Sequence, residues 1–303
     1  MISDKSGQNR AGTLHIVATP IGNLGDMPPR AVEVLKNVDF IAAEDTRVTS
    51  ILLARFEIKT PMVSYHKFNE KGQGEAIIER ILKGQSCALV TDAGTPSVSD
   101  PGAVLTDLAA NSGICVTGVP GPSAVSLALS LSGFSASSYG FYGFPPKGAA
   151  VRQSFLKVLE DGPAAAVFFE SPYRIMKTLE VLEVISQEKG NGIKAVLCND
   201  LTKKFETVYR GSPAEILKTL KTNPNAHKGE YTLVIKKNKT LDIAEADKPE
   251  MFTEMSIEAR LVDLCVKQSL TLKEAITHLH EQTQEFLPKK ELYAASLRLK
   301  KML

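Results

Sequence analysis

Two short runs bring carboxylates and a guanidinium together. Ala43-Glu44-Asp45-Thr46-Arg47 holds two acids and an arginine, and Phe169-Glu170-Ser171-Pro172-Tyr173-Arg174 holds an acid and an arginine four residues apart. A positioned carboxylate can accept a proton from a reacting hydroxyl. An arginine can grip phosphate with its planar fork of donors. Lys204 and Glu206 add a further cation and acid downstream. The competing reading is that each acid and arginine form an internal salt bridge that fixes a loop, and the residues alone leave both open.

Three loops of small residues form a second class of signal. Thr19-Pro20-Ile21-Gly22-Asn23-Leu24-Gly25-Asp26 follows an apolar run. Thr91-Asp92-Ala93-Gly94-Thr95-Pro96-Ser97-Val98-Ser99-Asp100-Pro101-Gly102 follows another, and Gly118-Val119-Pro120-Gly121-Pro122-Ser123-Ala124 follows a third. Glycine lets a backbone turn sharply and approach a ligand. Asp92 is placed to accept hydrogen bonds from a ligand, whereas Asp100 and Pro101 read as the cap and first turn of a helix. Ser123 reads either as a helix cap or as a ligand contact. The spacing is not G-x-G-x-x-G, and G-x-x-x-x-G-K-[ST] is absent, which argues against a dinucleotide or P-loop nucleotide enzyme on a doubly wound fold.

The elements that must carry these loops alternate. Apolar runs predict strands at 14–18, 39–43, 87–91 and 114–118, with helices near 29–37, 46–56, 72–83 and 101–111. That order predicts crossover units and a largely parallel sheet. A second series follows a helix at 123–131. It has strands at 139–143, 165–169, 194–198, 206–210 and 230–235, and helices near 151–160, 173–187 and 213–221. The closer spacing of the later strands predicts some antiparallel pairing. Three short helices, 256–268, 271–281 and 288–300, close the chain, with Thr271 and Glu274 spaced as a capping box. The expected organisation is an arm at 1–12, α/β domains at 13–121 and 122–237, a polar linker at 238–252 and a helical domain at 253–303.

Composition bounds the rest. The 303 residues are 43% hydrophobic and 23% charged, and the net charge is only +2. The charge is uneven: residues 201–240 carry nine Lys or Arg against three acids, and 288–303 carries five against one. A basic face can attract phosphate on a nearly neutral chain, or it can simply be a solvated helical face. The four cysteines, at 87, 115, 198 and 265, form no C-x-x-C pair. Three lie in apolar runs and read as small buried hydrophobes, which argues for a reducing compartment and against disulfides or zinc. His278 and His280 are two apart and do not share a helix face, so no metal is expected. No run suggests a membrane span or a signal peptide, so the expected location is the cytoplasm.

The order of the three loops resembles the tetrapyrrole methylase family. In that family S-adenosylmethionine lies in a cleft between two α/β domains, held mainly by backbone and small residues. Ala18–Asp26, Ala43–Arg47, Asp92-Ala93-Gly94-Thr95-Pro96, Phe169–Arg174 and Gly229-Glu230-Tyr231 further resemble the branch that methylates a cytidine 2′-hydroxyl of 16S ribosomal RNA near the decoding centre. The match runs from about residue 13 to 236, and the helical tail is also similar. The resemblance implies a homodimer that acts on the small ribosomal subunit. It implies cofactor contacts at Pro20, Asp92, Gly94, Thr95, Val98, Ser123 and Ala124, and at Phe169, Leu201, Glu230 and Tyr231 in the second domain.

A sulfonium donor needs an aligned nucleophile rather than a metal, and a ribose hydroxyl needs a proton acceptor. Asp45, Glu170 and Glu44 are the candidates for that task, with Arg47, Arg174 and Lys204 as phosphate contacts. The alternatives are a C-methyltransferase acting on a tetrapyrrole of the precorrin or uroporphyrinogen kind, and a ribosome-assembly RNA-binding protein without turnover.

Overall fold

The computed structural model describes residues 11–134, 137–188, 192–237, 256–267, 270–282 and 289–302. The expected linker and most of the expected arm lie outside them. The chain divides into two compact units, 1–240 and 241–303.

The first unit contains two five-stranded sheets. In the first sheet β1 (Thr13–Val17), β2 (Phe40–Ala43), β3 (Met62–Ser64), β4 (Cys87–Val90) and β5 (Cys115–Val119) lie in the order β3-β2-β4-β1-β5, all parallel. Helices α1 (Pro29–Asn37), α2 (Thr46–Arg55), α3 (Glu70–Leu82) and α4 (Ala103–Asn111) are the crossovers. Strands β2 and β4 are buried at every residue, as expected of inner strands covered on both faces. Alternate residues serve opposite cores. Leu14, Phe40, Ala42 and Leu89 pack with Tyr65, Ile77 and Leu105 on one face. Val17, Ile41, Ala43, Ala88 and Val90 pack with Ala31, Leu35 and Leu53 on the other.

After α5 (Ala124–Ser132) the chain builds the second sheet from β6 (Tyr139–Phe141), β7 (Ala165–Glu170), β8 (Ile193–Asn199), β9 (Thr207–Gly211) and β10 (Tyr231–Lys237). Its order is β6-β7-β10-β8-β9. Only the β6–β7 pair is parallel; β10 runs antiparallel to β7 and β8, and β9 antiparallel to β8. Helices α6 (Ala150–Asp161), α7 (Ile175–Glu188) and α8 (Pro213–Lys221) cover one face through Phe155, Leu179, Leu182 and Leu220. Ser212 and Glu215 cap α8 reciprocally, and Pro213 occupies its first turn. On the other face α5 packs Val125 and Ala128 against Val167, Val196 and Val234, with Ile21 and Val98 from the first lobe joining that core.

In the second unit α9 (Ile257–Lys267), α10 (Leu272–Gln282) and α11 (Lys289–Met302) share a core of Leu261, Ala275, Ile276, Leu279, Leu292 and Ala295. Thr271 and Glu274 form the capping box read from their spacing. No helix among the described residues is long and apolar enough to cross a membrane.

Three expectations need correction. Strand β3 went unread; it is three residues long and half-buried throughout. Cys87 and Cys198 are buried, but Cys115 is exposed, because β5 is an edge strand that turns Cys115, Thr117 and Gly118 outward. Asp100 does not cap α4; Gly102 does, at φ +139°. A side chain at 102 would meet Ser97 Oγ at 2.6 Å, so the turn before α4 closes on glycine instead.

Candidate active site

A parallel sheet sends every strand's carboxyl end to the same side, so the loops after β1, β4 and β5 must gather there. Hydrogen bonds stitch them together. Thr19 and Gly94 exchange both backbone bonds, at 2.9 and 3.0 Å. Thr19 Oγ1 donates to the Thr91 carbonyl at 3.1 Å, and Thr95 Oγ1 donates to the Pro122 carbonyl at 3.3 Å. Gly94 sits at φ +81°, a conformation side chains resist. Ser97 and Ser99 adopt φ +70° without being glycine, so the loop between β4 and α4 carries local strain. Ser123 caps α5 by accepting from the Ser126 amide, and its carbonyl accepts from the Leu127 amide.

The second lobe brings matching turns. Tyr231 of β10 lies opposite Glu170 of β7 and Asn199 of β8, so the segments 171–174, 200–206 and 229–230 leave the sheet at one end. Glu170 is almost fully buried and spends its oxygens locally. It accepts from Thr178 Oγ1 at 2.6 Å, from the Ser171 amide at 2.7 Å and from Arg174 Nη2 at 2.6 Å. Arg174 Nη1 also donates to the Pro145 carbonyl at 3.2 Å, tying the turn after β7 to the one after β6. Lys203 Nζ bridges Asp200 and Glu230, 3.0 Å from each. Gly229, at φ +82°, leaves room for the Asp200 carboxylate.

The two lobes touch where Asn23 N–H donates to Thr202 Oγ1 at 3.1 Å. Beside that contact lies a cleft of about 350 Å³. Gly94, Thr95, Val98, Ser123 and Ala124 line it from one side, and Phe169, Glu170, Glu230 and Tyr231 from the other. The other residues implicated by sequence stand outside that lining. Pro20 is buried, and Leu201 lies in the core under α5. Asp92, Glu44, Asp45 and Arg47 cluster beyond the β2 and β4 ends, while Arg174 and Lys204 belong to the turns of the second lobe. Ile21, Ser99, Phe144 and Thr232 also line the cleft, and so does Asp100, which its sequence context assigned to a helix cap. Ser99 lies in the loop 91–102; Phe144 and Thr232 carry no local signal.

The acids divide by their neighbours. Asp45 N–H donates to Asp92 Oδ1 at 3.1 Å, and Asp92 N–H to Glu44 Oε2 at 3.4 Å, which draws three acids together. Burial raises Glu44 and Asp92; the charges of Asp92 and Asp45 add to the rise at Glu44, and the charge of Asp45 adds to it at Asp92. Asp100 is pushed up to about 6 by burial first and by Glu44 and Asp92 second. Asp45 goes the other way. It caps α2 through the Arg47 amide and accepts from Arg47 Nε at 3.0 Å and Nη2 at 2.6 Å. That guanidinium holds its carboxyl at about 2. Among the described residues no group of three His, Cys, Asp or Glu is arranged to hold a metal.

The cleft suits a nucleoside-sized methyl donor. Its volume falls in the range of small-ligand pockets, its walls are largely small or apolar, and glycine backbone approaches from both lobes. Thr91 Oγ1, buried beside it, has no protein partner.

Comparison with known proteins agrees. The family model described as Tetrapyrrole (Corrin/Porphyrin) Methylases matches residues 13–217. A Xylella fastidiosa (strain Temecula1) protein named ribosomal RNA small subunit methyltransferase I is 46% identical over 224 residues, 74% of this chain and 81% of that one. A Synechocystis protein of the same name is 39% identical over 289 residues, covering 95% and 98%. The crystal structure of a diphthine synthase shares the fold, with a TM-score of 0.55 at 15% identity over 74% of this chain and 90% of that one. The chain belongs to the tetrapyrrole methylase family, and it is a methyltransferase.

Proposed function

We propose that the chain methylates the 2′-hydroxyl of a cytidine in 16S ribosomal RNA near the decoding centre, using S-adenosylmethionine, as a cytoplasmic homodimer acting on the small ribosomal subunit. The observation that carries this reading is the cleft itself. Donor-sized space lies between glycine-bearing loops of two lobes, and an acid of raised proton affinity stands in its wall. The names of the relatives support the acceptor.

Gly94, Thr95, Val98, Ser123 and Ala124 would hold the donor from the first lobe, and Phe169, Glu230 and Tyr231 from the second. Pro20, Asp92 and Leu201 would act one layer out, shaping those loops. When bound, the sulfonium supplies an activated methyl group. The protein's part is to align the hydroxyl and take its proton. Methylation of the hydroxyl would release its proton, which a carboxylate in the cleft wall would accept.

Asp100 is the acceptor this geometry favours, because a carboxyl near 6 is mostly ionised at neutral pH yet basic enough to take a proton. Burial places Asp100 in that range, and the charges of Glu44 and Asp92 add to it. Asp45 and Glu170 are assigned positioning roles. Asp45, near 2, is a weak base, and Glu170 already accepts three hydrogen bonds or ion-pair contacts. Arg47, whose side chain is open to solvent, and Lys204 are assigned to the phosphates flanking the target, whereas Arg174 is held by Glu170 and the Pro145 carbonyl and is assigned to fixing the turn after β7.

The deciding experiment is transfer of a radiolabelled methyl group to purified small subunits that lack the modification, followed by mapping of the labelled nucleotide. Label on one cytidine ribose is the expected result. Label on a base carbon, or transfer only to a tetrapyrrole, overturns the reading.

A further inference from the structure

Four aromatic side chains stand out from loops at the carboxyl ends of the strands. Phe68 follows β3, Phe144 follows β6, Tyr173 follows β7 and Phe205 follows β8. Their exposures are 94%, 58%, 85% and 74% respectively. Rings of this size normally contribute by being buried, as Phe155, Phe168 and Tyr65 are here. A group of exposed rings therefore marks a surface made to be covered.

Strand register explains why they share one end. Strands β6 and β7 are parallel, so Phe144 and Tyr173 leave the second sheet together. Asn199, at the end of β8, lies opposite Tyr231, which lies opposite Glu170, so the turn holding Phe205 leaves there too. Phe68 leaves the first sheet beside Glu44, because β3 runs parallel to β2. Phe144 lines the cleft, and Tyr173 adjoins Pro172, which also lines it.

Lysines stand next to two of the rings. Lys67 precedes Phe68, and Lys204 precedes Phe205 with its Nζ 5.5 Å from the ring centroid. A polymer that alternates flat bases with phosphates matches that pattern, since rings can stack on bases while cations track the backbone.

We propose that this rim stacks on nucleobases flanking the reacting nucleotide, so that the acceptor delivered to the cleft is unpaired, unstacked RNA. The proposal rests on the RNA-methylating reading above and adds the state of the strand. A duplex keeps its base faces stacked and offers the rings nothing to hold.

The chain has no tryptophan, so Phe205→Trp and Tyr173→Trp each create a lone fluorescent reporter. Each variant is titrated with a short unstructured cytidine-rich RNA, with the same strand annealed to its complement, and with polyphosphate. The expected result is quenching by the unpaired strand alone. Phe205→Leu should then weaken binding of that strand by roughly tenfold, and Phe205→Tyr should restore it, because stacking needs a flat ring rather than apolar bulk. Binding of S-adenosylmethionine, followed by calorimetry, should not change in either variant.

Equal quenching by duplex, or none by any RNA, overturns the proposal. So does a reporter already shielded in the free protein in a concentration-dependent way, which would mean that a second copy of the chain covers the rim. Unmodified protein is assayed in parallel for methyl transfer to small subunits. Transfer without quenching removes the rim and leaves the enzyme reading intact. Quenching without transfer supports the rim and removes the enzyme reading.

Discussion

The acid–arginine pair of the first lobe and that of the second are alike in chemistry and in length, yet they occupy opposite environments. Arg47–Asp45 and Arg174–Glu170 each close at 2.6 Å. The first has side chains 89% and 26% exposed, the second 28% and 1%. Water and salt screen the first pair, so it can release its arginine to a phosphate at small cost. The second is desolvated and surrounded by hydrogen bonds, so removing one partner strands the other. One sequence signal therefore serves adaptable contact in one lobe and fixed architecture in the other. The neighbouring acids show a third outcome: desolvated by burial and set near other carboxylates, Glu44, Asp92 and Asp100 are all raised.

The largest expected effect tests the third group against both pairs. Asp100→Asn should lower the methyl-transfer rate by about 10²–10⁴-fold while the chain stays folded, the usual range for loss of a general base. In the unmodified enzyme the rate should fall as pH drops through about 6, because the ionised carboxylate is the active form. That limb should vanish in Asp100→Asn. A variant that keeps both rate and limb would return the assignment to Glu44.

Glu170→Ala should destabilise the fold by about 2–3 kcal/mol in urea denaturation, since it leaves Thr178 Oγ1 and the Arg174 guanidinium without their shared acceptor. An unchanged midpoint would make the buried pair no more structural than the exposed one. Gly94→Ala should cost roughly 1–2 kcal/mol for its left-handed backbone, and should weaken S-adenosylmethionine binding measured by calorimetry. Smallest in stability is Arg47→Ala, for which the melting temperature should barely move. Its effect should appear instead as a higher KM for small subunits and a shallower dependence of binding on salt. A large loss of stability there would erase the contrast between the pairs.

Much of the fold was legible because its signals are local. Strands β2 and β4 read as unbroken apolar runs, and the box at Thr271 and Glu274 follows from spacing alone. Strand β3 was not legible, because three half-buried residues at a sheet edge carry no periodicity. Nor was the exposure of Cys115, which an edge position decides. In the site, Gly94, Thr95 and Ser123, which the family resemblance implied, line the cleft. Phe144 and Thr232 reach the cleft only because the lobes meet there.

The amino-acid order alone determined the inner strands, most of the helices and the cap at Thr271, because those choices depend on residues within a few positions of one another. Tertiary structure decided which acids hold protons tightly and which rings stay in water. Asp45 meets Asp92 across 47 positions of chain, and Glu230 meets Lys203 across 27. Desolvation and charge act through space, so their consequences appear only when distant segments share a surface.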